Sequence, residues 1–258
     1  TAFVYVKVIV LMYFSEPTGD TAAVVPSALG AVSVAIGVLA TVAVARAGAA
    51  FVNVDPADPA GRRQMIIERC RPRAVVTLAA TAESVTGGIP VLALDELLAR
   101  HADSVASKPD SPPFDAAERV RPLSVDDVAY ITFTSGTTGL PKGVQVTHRG
   151  LTDWAHDTVS RLRLDSSDAV LHTYATGFDA HLMGLVPPRV SGATIVVCPP
   201  DVIAADELAE FVDAERVSVL LTTPSVLATL RPDELPGVRH VAVGGEPLGA
   251  GLVREWTA

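Results

Sequence analysis

The sequence predicts an α/β fold of mostly parallel sheets with flanking helices. From Phe51 onward, short β-branched runs alternate with longer helical patterns, the mark of a parallel sheet covered by helices. Four predicted strands also end in polar or glycine-rich stretches: Thr134–Gly139, Thr176–Asp179, Thr222–Pro224 and Gly244–Glu246. Ligands of open α/β sheets bind beyond the carboxyl ends of strands, so these four stretches are expected to share one crevice.

The elements follow in order. Thr1 to Phe14 is aromatic and β-branched with one charge, Lys7, and reads as an edge strand in an otherwise unassigned segment, residues 1–18. Thr21 to Ala45 carries no charge, long enough to raise a membrane span. Its Ala, Val, Gly and Ser residues and the break at Pro26 favour a short strand to Val25, then a buried helix stopping near Arg46 and Gly48. Ala74–Leu78 and Pro90–Leu94 read as strands and Asp95–Ala102 as a short helix. Residues 103–125, rich in Ser, Pro and Asp, read as a surface loop. Strand Val128–Phe133 enters a glycine loop, and a helix follows from His148 to Leu162. Then come strand Val170–Tyr174, helix His181–Val190, strand Thr194–Cys198 and helix Ala204–Glu215. Strand Val217–Leu221, helix Ser225–Leu230 and strand Val238–Val243 close the pattern.

Composition narrows the function. The 258 residues are 49% hydrophobic, far from a disordered chain. A net charge of -9 and a pI of about 5.1 argue against a nucleic-acid surface. Cys70 and Cys198 lie far apart and fit a reduced, cytoplasmic protein better than a disulfide scaffold. No histidine pair has metal-ligand spacing, no metal ligand set is expected, and no secretory leader is visible.

Chemistry concentrates in Val128–Gly143. An apolar run delivers the chain into Thr134-Ser135-Gly136-Thr137-Thr138-Gly139-Leu140-Pro141-Lys142-Gly143. Gly136 and Gly139 permit tight turning and close ligand approach, the four hydroxyls add donors, and exposed backbone N–H groups form an anion-holding nest. Lys142 adds a mobile positive charge, so a nucleotide triphosphate is the natural occupant. A Walker A loop needs glycine before the lysine and Ser/Thr after it; Pro141 and Gly143 stand there instead.

That string resembles the phosphate loop of the adenylate-forming superfamily, which includes acyl-CoA synthetases, luciferases and peptide-synthetase adenylation domains. Val144-Gln-Val-Thr-His-Arg-Gly-Leu151 continues the match. Arg46–Pro59 is similar to the segment that introduces the adenylation core, with Asn53 where proline is usual. Gly177-Phe-Asp-Ala-His-Leu-Met183 resembles the amino-acid-binding motif, and Thr223-Pro-Ser and Gly244-Gly-Glu-Pro-Leu match later landmarks.

The resemblance implies ATP-dependent activation of an amino acid to aminoacyl-AMP, then transfer to the phosphopantetheine thiol of a carrier domain. A condensation domain would be a further partner. Thr134 and Lys142 would be catalytic, holding the β,γ-phosphates together with Ser135, Gly136, Thr137, Thr138 and Gly139. Gly244, Gly245 and Glu246 would form the adenine wall. Asp179 would pair with the substrate ammonium, and Ala180, Met183, Leu221, Ala242 and Gly244 would line an apolar side-chain pocket. Asp is also a favoured helix cap, and Met183 and Leu221 are ordinary core residues, so each position has a bland reading. His148 and His172 read as structural or surface residues.

Residues 19–258 would be a partial adenylation core. The family's Tyr-Gly-Pro-Thr-Glu motif, with its magnesium-binding glutamate, its ribose-binding aspartate and its lid lysine would lie beyond Ala258, leaving these residues inactive by themselves. An acyl- or aryl-CoA ligase and a non-catalytic fragment are the alternatives. No nucleic-acid or membrane partner is expected.

Overall fold

In the computed structural model, residues 7–11, 40–55, 58–82, 88–106, 122–134, 141–174, 177–199, 202 and 204–257 are described. They divide into two compact units, with boundaries between Thr152 and Asp153 and between Phe178 and Asp179.

The first unit is a six-stranded sheet in the order β4-β3-β1-β2-β5-β6. Its strands are β1 (Lys7–Leu11), β2 (Ala50–Val54), β3 (Ala74–Thr77), β4 (Val91–Ala93), β5 (Val128–Thr134) and β6 (Lys142–Thr147). All neighbours are parallel except β5 and β6, which form an antiparallel pair. β1 lies between β3 and β2, so the expected edge strand is an interior one, hydrogen-bonded on both sides. Val52 and Val54 are fully buried and pack with Val75 and Ile131 against Ile66, Ile67 and Cys70 of helix α2 (Ala60–Cys70).

Residues 40–46 are helical (α1) and end at Gly48, whose φ of 79° lies in the left-handed region, as the expected glycine stop requires. The strand expected up to Val25 and the start of that helix lie outside the described residues. Helices α3 (Ala79–Ala82) and α4 (Leu94–Ala106) flank β4. Because α4 extends to Ala106, the expected loop at 103–125 starts later, and its 107–121 portion lies outside the described residues. Among the described residues no helix is long and apolar enough to cross a membrane.

Helix α5 (His148–Leu162) leads into the second unit, a parallel sheet in the order β10-β9-β7-β8. Its strands are β7 (Ala169–His172), β8 (Thr194–Val197), β9 (Val219–Thr222) and β10 (His240–Val243). Both faces are apolar. Val170, Val219 and Leu221 join one cluster and Leu171 and Leu220 the other, as side chains alternating across a strand must. Helices α7 (Ala205–Ala214), α8 (Pro224–Leu227) and α9 (Ala250–Thr257) cover the second face through Leu208, Val212, Leu227 and Trp256.

The helix expected over His181–Val190 is two elements. A 3-10 turn, Asp179–Gly184, is followed by helix α6 (Val186–Ser191). Pro187 and Pro188 stand in the first turn of α6, where missing N–H groups cost nothing; in mid-helix they would break the ladder. Cys70 and Cys198 are both buried and neither forms a disulfide among the described residues.

Candidate functional site

The strands on either side of the hydroxyl-glycine sequence, β5 and β6, form an antiparallel pair. Thr134 and Lys142 are register partners at the loop-side end of the pair, and Ser135, Gly136, Thr137, Thr138 and Gly139 lie outside the described residues. Lys142 is exposed, and its side chain makes no hydrogen bond or ion pair among the described residues. Two contacts fix the hairpin's end. Arg69, in the last turn of α2, donates to the Pro141 carbonyl at 2.6 Å. Gly143 leaves room for a ring, since a Cβ there would stand 3.2 Å from Phe133 Cζ. The β6 strand is not among the elements expected from sequence, which assigns none between the glycine loop and His148; the alternation Val144-Gln145-Val146 is its signal.

The second unit gathers the remaining candidates at the carboxyl ends of β7, β9 and β10. Asp179 opens the 3-10 turn and is exposed. Its carboxylate has no hydrogen-bond or ion-pair partner among the described residues, so the helix-cap reading finds no bond to support it. In a 3-10 helix, side chains three apart eclipse, so Ala180 and Met183 share one face and His181 and Gly184 another. Met183 and Ala242, partly buried, pack against the cluster that contains Leu221, which brings three expected pocket residues into one apolar group with Tyr174. Leu221 itself is 1% exposed, so it supports such a wall from beneath.

The strand ends are stitched by short bonds. Thr173 Oγ1 donates to the Leu221 carbonyl at 3.0 Å, and the Tyr174 hydroxyl donates to the Thr222 carbonyl at 2.8 Å. Burial pushes the Tyr174 phenol above its ordinary pKa, keeping it a donor. After β10 the chain turns at Gly245, with φ of 85°, a conformation that favours glycine. Gly244 is exposed with open space around its Cα.

Glu246 is engaged by the protein. Its Oε2 accepts from the Ser225 N–H at 3.0 Å and its Oε1 from the Ser225 hydroxyl at 2.8 Å. Thr223 caps α8 by accepting from the Val226 N–H, and its Oγ1 lies 3.1 Å from Ser225 Oγ. Thr223-Pro-Ser and Gly-Gly-Glu, separated by 21 residues in sequence, are thus one hydrogen-bonded assembly. Nothing in the local pattern of either segment announces the other.

Comparison with known proteins agrees with this architecture. Residues 34–258 match the family described as AMP-binding enzyme. The chain is 36% identical over 221 residues to novobiocin biosynthesis protein H of Streptomyces niveus, covering 85% of this chain and 36% of that protein. It is 34% identical over 223 residues to the phosphinothricin tripeptide synthetase PhsC of Streptomyces viridochromogenes, covering 85% of this chain and 20% of that protein. The chain therefore spans well under two thirds of these relatives' lengths. Among solved structures, the Klebsiella oxytoca NpsA N-terminal subdomain superposes with a TM-score of 0.74 at 20% identity, over 98% of this chain and 59% of that one. The nonribosomal peptide synthetase FmoA3 gives 0.73 at 24% identity, over 97% of this chain and 24% of that one. The chain belongs to the AMP-binding enzyme family, and within it matches an N-terminal portion of the adenylation domains of nonribosomal peptide synthetases.

Proposed function

We propose that this chain contributes the phosphate hairpin and the amine anchor for ATP-dependent activation of an amino acid. The observation that carries the reading is Asp179: a carboxylate at the carboxyl edge of a parallel sheet, exposed and without a partner among the described residues. An ammonium is its natural counter-ion, and fixing the ammonium orients the substrate carboxylate. A solved four-domain nonribosomal peptide synthetase similar in fold, bound to AMP and glycine, supports the substrate class.

The substrate carboxylate attacks the α-phosphorus of ATP. The bond to the bridging oxygen breaks, giving aminoacyl-AMP and pyrophosphate; the carboxylate is already ionised near neutral pH, so no general base is required. Negative charge grows on the pyrophosphate, and Thr134, Lys142 and the hydroxyl-glycine sequence between them have the donor chemistry to hold it. Ala180, Met183, Leu221, Ala242 and Gly244 carry no charge, which favours an apolar substrate side chain. The acyl group would then pass to a carrier-domain phosphopantetheine thiol. The described residues contain no group of three His, Cys, Asp or Glu side chains placed to hold a metal ion.

The test is Asp179→Asn in the intact enzyme, read by ATP–pyrophosphate exchange. Amino-acid KM should rise ten- to a hundredfold, ~1.4–2.8 kcal/mol, while the same acid lacking its amino group is hardly affected. Equal losses with both substrates would make Asp179 a structural residue and favour an acyl- or aryl-CoA ligase.

A further inference from the structure

His172 ends β7 on the same face of its sheet as Val170. Parallel register sets Val170 beside Val219, which brings His172 level with Leu221, and Leu221 is paired with Ala242. Ala242, Leu221 and His172 therefore form a row across three strands. His172 is 1% exposed, and neither ring nitrogen has a hydrogen-bond partner among the described residues. Burial holds its pKa below the ordinary histidine value, so the ring is neutral near pH 7. A buried polar ring left unpaired weakens a core, so its presence calls for a reason other than packing energy.

Its contacts supply one. The His181 ring meets it edge-on, with centroids 6.3 Å apart and planes at 70°. Gly184 lies so close that a Cβ there would stand 2.9 Å from His172 Cδ2 and 3.2 Å from its Cα. His181 and Gly184 are the eclipsed pair of the 3-10 turn, both buried, and Asp179 opens that same turn in solvent. The His172 ring packs against one face of the turn, whose first residue, Asp179, is exposed.

We propose that His172 is a positioning residue for Asp179: wedged under His181 and Gly184, it sets the seat of the 3-10 turn and hence where the anchoring carboxylate stands. The proposal rests on the reading of Asp179 as the amine anchor. A misplacement of about 1 Å in such an anchor costs up to ~100-fold in rate, so a small side chain beneath it has leverage on substrate binding.

The test compares KM for the amino acid with KM for ATP in pyrophosphate exchange by the intact enzyme, using the apolar amino acid that the wild type exchanges fastest. The variants are His172→Ala, Gly184→Ala, the two combined, and Asp179→Asn as reference, each first shown folded by its thermal transition. Each single variant should raise amino-acid KM about tenfold and leave ATP KM within roughly twofold. The double variant, whose new methyl meets a smaller neighbour, should lose less than the product of the single effects. If His172→Ala does not fold, His181→Ala, which removes the ring resting on it, carries the same expectation. A parallel rise in both KM values, or effects that simply multiply, would reduce His172 to a core residue and overturn the proposal. A selective Asp179→Asn beside silent His172→Ala and Gly184→Ala would overturn it while leaving the anchor intact. No selective effect of Asp179→Asn would remove the anchor reading and the proposal together.

Discussion

Lys142 and Asp179 are charged, exposed and without partners among the described residues, an arrangement that offers the fold little and a charged ligand much. Exposed ion pairs contribute at most ~1 kcal/mol to stability, so the value of such groups lies in what they bind. Lys142→Ala should therefore leave the thermal transition unchanged while lowering amino-acid-dependent pyrophosphate exchange by ~10²–10³, the usual effect of removing one donor to a developing anion. An unchanged exchange rate would remove Lys142 from the phosphate site. The sequence singles out both residues because each stands in a short, contiguous pattern. Glu246 stands out in the sequence as a position, but its bonds to Ser225 join segments that local sequence does not link. His172 was read only as structural or surface, since its neighbours His181 and Gly184 come from a different element.

At the scale of elements, alternation of β-branched and helical runs located β3, β5, α5, β8, α7 and β10 to within a few residues, because those segments bury one consistent face. The failures have specific causes. β6 buries little, its first four residues being exposed, so its hydrophobic signal is confined to the short alternation Val144-Gln145-Val146. β1 was placed at an edge because strand order depends on pairing between distant segments, which local sequence does not encode. The Glu246–Ser225 link is of the same non-local kind, and it makes a prediction about the strand end it holds. Glu246→Ala removes both acceptors, and with a net ~1 kcal/mol per bond the loop after β10 should loosen. ATP KM is expected to rise severalfold with amino-acid KM unchanged, and Ser225→Ala added to Glu246→Ala should cost little more, because the same bonds are already lost. Independent, multiplying losses would show that Glu246 acts on the nucleotide directly.

Taken whole, the second unit has a free edge and a clamped edge. Opposite the candidate site, Asp168 stands just before β7, Ser218 before β9 and Arg239 before β10. Arg239 grips Asp168 through two hydrogen bonds, Nε to Oδ1 at 2.7 Å and Nη2 to Oδ2, and also donates to the carbonyls of Leu162 and Arg163. Ser218 Oγ donates to Asp168 at 2.7 Å, and the Asp165 N–H at 2.9 Å. The Arg239 guanidinium, first among these, holds the Asp168 carboxyl down at about 2, against an ordinary value of 3.8. Such a shift makes stability depend on pH with a definite sign. Above pH 3.8 the carboxylate is ionised folded or unfolded, and its full contribution is present. As the pH falls toward about 2, the unfolded chain takes up the proton first and the contribution drains away. The full shift corresponds to ~2 kcal/mol; because Arg239 is 37% exposed, ~1–2 kcal/mol is the reasonable expectation. His172 works in a separate window: its lowered pKa lets the unfolded state bind a proton first below pH 6.5, so stability declines from there. Denaturant midpoints followed from pH 7 to pH 2 should thus fall in two stages in the wild type. In Asp168→Asn the midpoint should start lower at pH 7, keep the decline below pH 6.5 and lose the part of the acid slope that belongs to this carboxylate. If the variant retains the whole slope below pH 3.8, the clamp contributes nothing to acid stability and other carboxylates carry it.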